Sequence, residues 1–89
     1  MQFEYDSHKS SINLNKHGID FEDIQELWFE DMLTFDVCCK GERRVLGIGR
    51  INGEYWTVVF IQKDDTVRII SARRSTKQER SNYDRYINS

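Results

Sequence analysis

Arg73 and Arg74 stand where a β-like run, Val67 to Ala72, gives way to a charged helical one that starts at Ser75 or Thr76. Guanidinium forks beside the free N–H groups and positive dipole end of a helix attract anions. Bidentate charge-assisted hydrogen bonds there add to oriented backbone dipoles. The ligand that suits such a place is a phosphate. Lys77 and Arg80 extend the cationic surface along the helix, and Arg50, at the end of another strand, offers a further contact. Solvated strand-end arginines explain the same residues equally well. Tyr55 and Trp56 flank the hairpin beside Arg50; exposed, either ring can stack on a base, while Trp56, opposite Gly49, reads better as core. Glu79 and Tyr83 follow Arg73 closely enough to move protons near it, although a tyrosine in that position also serves to anchor a helix to a sheet. His8 and His17 lack metal-ligand spacing and have no Cys or His partner to complete a site. Either can act as acid or base, and His17 reads first as a cap in the last turn of a helix. No Walker loop, nucleophile elbow, HExxH or paired CxxC occurs, so neither metal nor cofactor is expected.

These residues need elements to hold them. Residues 2–5 have the makings of a short strand. Asp6 caps a first helix that runs to about His17, closed by Gly18, although Ile12 and Leu14 do not share a face and its apolar stripe is weak. Asp20 caps a second helix, with Phe21, Ile24, Leu27 and Trp28 at helical spacing and Glu22, Glu26 and Glu30 on another side. From Met32 the pattern alternates through Leu33, Phe35, Val37 and Cys39. A turn at residues 40–43 leads to Arg44–Ile51, Asn52-Gly53 and Glu54–Gln62. Asn-Gly between two such runs signals a type I′ hairpin, which pairs Ile51 with Glu54, Arg50 with Tyr55, Gly49 with Trp56 and Gly47 with Val58. Thr66–Ala72 is the last strand. A final helix follows with two capping-box frames, Ser75 with Gln78 and Thr76 with Glu79. The expected architecture is α+β: two N-terminal helices, a four-stranded antiparallel meander with room for a short extra N-terminal strand, and a C-terminal helix.

Eighty-nine residues make one domain, 1–89, with no room for a second core. No apolar run reaches membrane-spanning length, and the N-terminus is not a signal peptide. Cys38 and Cys39 are adjacent and have no spaced partner, which fits half-buried thiols in a reducing cytoplasm. The net charge of −2 speaks against a nucleic-acid binder, but its distribution is uneven. Residues 1–36 hold nine acids against Lys9 and Lys16, and residues 37–89 hold eleven Lys/Arg against six acids. One region thus suits an anion and another a basic partner, unless folding mixes them.

Four blocks carry a resemblance: "FEYD", "NLNKHGIDFEDI" (13–24), "ERRVLGIGRINGEYW" (42–56) and "VRIISARRSTKQER" (67–80), with Tyr83. Together they resemble the BrnT-type ribonuclease toxins of bacterial type II toxin–antitoxin systems, with Tyr5-Asp6 where that family usually has W-D. The resemblance implies a RelE-like fold and metal-independent RNA cleavage that arrests translation. It also implies a cognate BrnA-type antitoxin that neutralises the toxin and supplies operator DNA binding, as a toxin–antitoxin heterotetramer. Arg73 falls on the family's "ISAR" arginine and Arg50 on its strand-end arginine. Lys77, Glu79, Arg80 and Tyr83 fall on its charged terminal helix, and Arg74 on a less uniform position.

RNA carries its own nucleophile, the 2′-hydroxyl. The expected mechanism therefore has Arg73, assisted by Arg50 or Arg74, stabilising the charge of the attacked phosphate. Lys77, Arg80 and Tyr55 hold the strand, and the products are a 2′,3′-cyclic phosphate and a 5′-hydroxyl. Glu79, Tyr83, His8 and His17 all remain open as base or acid. The competing readings are a non-catalytic nucleic-acid-binding module, a metal-dependent nuclease using acids from residues 20–36, and a protein-interaction module.

Overall fold

A computed structural model describes residues 1–37 and 43–89. Along the chain come β1 (Gln2–Glu4), α1 (Ser7–His17), a 3-10 helix (Asp23–Phe29), β2 (Leu33–Val37), β3 (Arg44–Ile51), β4 (Glu54–Lys63), β5 (Thr66–Arg74) and α2 (Lys77–Ile87). The expectations for Cys38, Cys39 and the turn after them fall on residues 38–42, outside the described residues. Asn52 and Gly53 both take positive φ, 51° and 82°, as a type I′ turn requires. The hairpin register is the expected one, Ile51 to Glu54, Arg50 to Tyr55 and Gly49 to Trp56.

The sheet has the order β1-β5-β4-β3-β2. Its two faces follow from strand alternation. One carries Val45, Trp56, Val58, Phe60, Val67, Ile69 and Ala72, which form the main core with Ile19, Phe21, Ile24 and Leu27, and the partly buried Phe3 packs against it. Gly47 and Gly49 lie on this face because neighbours come close: a Cβ on Gly49 would meet Leu27 at 2.8 Å, and one on Gly47 would meet Met32 at 2.7 Å. The other face carries Ile48, Arg50, Tyr55, Thr57 and Arg73 and is covered in part by α2. β5 has one extra residue, Ile70, between the pairs Val59–Ser71 and Phe60–Ile69.

Two expectations are corrected. The sheet is five-stranded and mixed rather than four-stranded and antiparallel, because β1 pairs parallel with β5, Gln2 to Thr66 through Glu4 to Arg68. Three residues joined to a partner more than sixty positions away leave no local trace, and Phe3 is held there by an edge-on contact with Trp28 at 5.0 Å. The second N-terminal helix is a 3-10 helix. Ile24 and Leu27, spaced by three, stack in one row at three residues per turn, Phe21 precedes them at the same spacing in the turn before the helix, and all three are at most 1% exposed. Each such burial contributes about 1.5–3 kcal/mol. Asp20 accepts from the N–H groups of Glu22 and Asp23 but lies before the helix, whose N-cap is Glu22 rather than the expected Asp20.

Asp6 and Gly18 bound α1 as expected, Gly18 at φ 83°. Its inward side is polar, with Ser10 and Asn13 buried and Ile12 and Leu14 exposed. β1 ends at Glu4, so the edge of β5 beyond Arg68 lacks a strand partner there. Asn13 supplies one: its amide donates to the carbonyl of Ala72 (2.9 Å) and accepts from the N–H of the same residue (3.3 Å). It also donates to the carbonyl of Ile19, and Ser10 accepts from the N–H of Phe21. A buried amide that satisfies three backbone groups is costly to remove. Asn13→Ala is expected to lower unfolding stability by about 2–3 kcal/mol, read from urea transitions at constant m-value.

Candidate functional site

Arg73 leaves β5 on the face covered by α2 and meets a carboxylate there. Its Nη1 and Nη2 donate to Oε1 and Oε2 of Glu79 at 2.7 and 2.9 Å. Nη1 also donates to the carbonyl of Arg74 at 3.3 Å. Among the described residues, no acceptor takes the Nε–H or the second Nη2 proton, so one bidentate edge of the guanidinium stays unengaged. The Arg73 side chain is 38% exposed and that of Glu79 is 16% exposed.

Glu79 reaches this position because it closes the capping box of α2. Its N–H donates to Thr76 Oγ1, and its Oε1 accepts from the Thr76 N–H at 2.9 Å. Of the two capping frames, the chain uses Thr76 with Glu79. Thr57, almost fully buried and paired across the sheet with Arg73, donates to Glu79 Oε1 at 3.0 Å. Since that hydroxyl proton is committed to a carboxylate, Ser75 must be the donor in its 2.8 Å contact with Thr57. The Arg73 guanidinium, then the Thr76 N–H and Thr57, hold the Glu79 carboxyl at about 2, against the opposing effect of burial. The same pairing raises the pKa of Arg73.

A second cluster surrounds Tyr55. The Arg50 guanidinium lies 5.0 Å over its ring, and its hydroxyl donates to Asp84 Oδ1 at 2.7 Å. That carboxylate raises the Tyr55 pKa, while the charges of Arg50 and Arg80 pull it down. Tyr83 packs edge-on against Tyr55 at 6.0 Å and donates its hydroxyl to the carbonyl of Asp31 at 2.9 Å. Burial, then Asp31 and Glu30, raise the Tyr83 pKa. Arg50 also faces an open cleft of about 1010 Å³ between the 3-10 helix and the β3–β4 hairpin.

Two cationic groups thus occupy one sheet face, Arg73 beside the start of α2 and Arg50 beside its second half. A sequence model of the family described as "Ribonuclease toxin, BrnT, of type II toxin-antitoxin system" matches residues 5–79. The chain belongs to the BrnT family. No curated protein matches it. Membership makes this a ribonuclease toxin of a type II toxin–antitoxin system, with a cognate antitoxin as partner. The matched span of this BrnT toxin takes in Arg50, Tyr55, Thr57, Arg73, Arg74, Lys77 and Glu79, and stops short of Arg80, Tyr83 and Asp84.

The remaining expected residues of this BrnT chain are dispersed. Arg74 points to the opposite sheet face from Arg73, since neighbours in a strand do. There it pairs with Glu54 at 3.0 Å and lies 5.0 Å over Trp56, which is core as expected. Lys77 opens α2, exposed, and Arg80 is exposed one turn on. By helix geometry the N–H groups of Lys77 and Gln78 have no partner inside α2. His8 and His17 lie exposed on α1, along the β5 edge. Among the described residues, no three His, Cys, Asp or Glu side chains converge as metal ligands, and no helix is long and apolar enough to cross a membrane. Thr57 and Asp84 were not singled out from sequence, and Ser75 was read there only as a candidate cap. Their contacts reach across 18 to 29 residues, and only the strand register could have exposed Thr57 as the neighbour of Arg73.

Proposed function

We propose that the chain cleaves RNA as a metal-independent endoribonuclease, with Arg73 holding the scissile phosphate. The observation that carries this reading is the unengaged Nε–Nη2 edge of Arg73, a fork matched to two phosphate oxygens. Glu79 fixes the opposite edge of the same guanidinium. Its low pKa makes it a poor base at neutral pH, so we assign it to positioning Arg73 rather than to proton transfer. The ribose 2′-oxygen attacks the adjacent phosphorus and loses its proton. The bond to the 5′-oxygen breaks, and that oxygen takes up a proton, leaving a 2′,3′-cyclic phosphate and a 5′-hydroxyl. Arg73 stabilises the added negative charge at the phosphorus, where preorganised donors act most strongly. Arg50 supplies a second cation on the same face, with Tyr55 beneath it as a stacking surface. Lys77, Arg80 and the free N–H groups of α2 contact neighbouring phosphates. Tyr83 anchors α2 through Asp31, and Arg74 braces the core face.

In the cell this activity degrades messages in the cytoplasm and arrests translation. A BrnA-type antitoxin neutralises it, and their heterotetramer carries operator binding through the antitoxin. The test is incubation of the purified chain with a defined RNA, with and without EDTA, followed by analysis of the fragment ends. Fragments with cyclic phosphate and 5′-hydroxyl termini, formed equally in both samples, are expected. Bound but uncut RNA, or cleavage abolished by EDTA, would sink the proposal.

A further inference from the structure

The open cleft between the 3-10 helix and the β3–β4 hairpin is acidic on the side away from Arg50. Among the described residues, three carboxylates line it, Glu26, Glu30 and Asp31, against one cation, Arg50. Beyond Arg50, the acidic wall disfavours a phosphodiester and draws in a cation. Its apolar parts lack cover. Phe29 on the rim is 83% exposed, and Ile87, on the α2 side, is 44% exposed. The hydroxyl of Tyr83 ties the backbone of Asp31 to α2, so the acidic wall is fixed in place before anything binds. An aromatic left uncovered beside a preformed acidic groove is the pattern of a protein interface, in which an apolar anchor carries affinity and surrounding charge selects the partner.

We propose that this cleft is where the antitoxin docks. A segment of it lays a Lys or Arg side chain between Glu26, Glu30 and Asp31 and an apolar side chain against Phe29 and Ile87. The proposal rests on the family reading that an antitoxin neutralises this chain, and it adds the site and the chemistry of the contact. Because Arg50 rims the same cleft, an occupant covers that cation as it binds, so docking and neutralisation are one event.

The test uses the full chain co-expressed with the product of the gene adjoining its own. Wild type, Phe29→Ala and the Glu26→Lys/Glu30→Lys double variant are compared for co-purification, for affinity by titration, and for RNA cleavage when free. Phe29 is too exposed for its truncation to disturb the fold, so that variant stays informative even if the double variant misfolds. The expected result is affinity for the adjoining gene's product at least tenfold weaker in Phe29→Ala and at least 100-fold weaker in the charge reversal, with free cleavage unchanged. Unchanged affinity overturns the proposal, as does a wild type that fails to bind that product. Loss of cleavage in folded variants would assign the cleft to RNA, and wild-type self-association lost in the variants would assign it to a second copy. Either would overturn the proposal. Cleavage by the free wild type is read in the same preparations, so the catalytic reading stands or falls separately.

Discussion

Arg73→Ala is expected to slow RNA cleavage by about 10²–10³-fold while leaving the fold intact. Removing one preorganised donor group from a developing oxyanion typically costs about 3–4 kcal/mol of transition-state stabilisation. Here the side chain lost is the one whose second edge is unengaged. The fold should survive because Glu79 keeps its bonds to Thr57 and to the Thr76 N–H. Arg73→Lys separates charge from shape. Lysine keeps the cation but cannot span Glu79 and a phosphate with two forks, so most of the loss should remain. Single-turnover cleavage of one RNA, with circular dichroism as the folding control, decides it. A variant that cuts at the wild-type rate would remove Arg73 from the mechanism.

Glu79→Gln is the second large effect, and it has a pH signature. The Glu79 carboxyl titrates at about 2 in the folded chain against an ordinary 4.5. A carboxylate with a depressed folded pKa contributes stability that is fully present above the unfolded value. That contribution is lost as pH falls through the folded one. The window is therefore from about 4.5 down to about 2. Each tenfold change in proton affinity corresponds to about 1.4 kcal/mol. After a discount for the solvent that reaches the Arg73 side of the pair, about 1–2 kcal/mol remains. Wild type should lose this amount on acidification through that window, and Glu79→Gln should start lower by a similar amount and respond less. Urea unfolding at pH 7, 4.5 and 3 reads both curves. Parallel curves for the two proteins would show that the pair contributes nothing to stability. Cleavage should also fall in Glu79→Gln, since the neutral amide cannot hold the guanidinium by two charged contacts.

Where the chain's signals are local, they can be read before folding. The Asn52-Gly53 hairpin and its register, the Asp6 and Gly18 bounds of α1 and the capping of α2 each depend on residues a few positions apart. Three features were hidden for physical reasons. β1 gains its identity only from a partner near the other end of the chain. The row Phe21, Ile24, Leu27 has a period of three, which a 3.6-residue expectation reads as an ordinary helix. α1 docks through the amide of Asn13 rather than through an apolar stripe, so hydrophobic periodicity had nothing to report. The same holds at the site. The cation at residue 73 was visible beside a helix start, but its clamp depends on Thr57, a strand threonine with no distinguishing neighbours in sequence.

The extra residue in β5 has a consequence for Arg73 and Arg74. A strand with strict alternation that buried Val67 and Ile69 would also bury residue 71 and send side chain 73 into the core. With Ile70 unpaired, parity reverses at that point: Ala72 goes inward, Arg73 swings toward α2, and Arg74 takes the Trp56 side. The strand therefore works as a selector between two chemically identical neighbours. Its setting lies three positions upstream of the cation it aims. Gain or loss of one residue there would hand the clamp to the other arginine without altering either one.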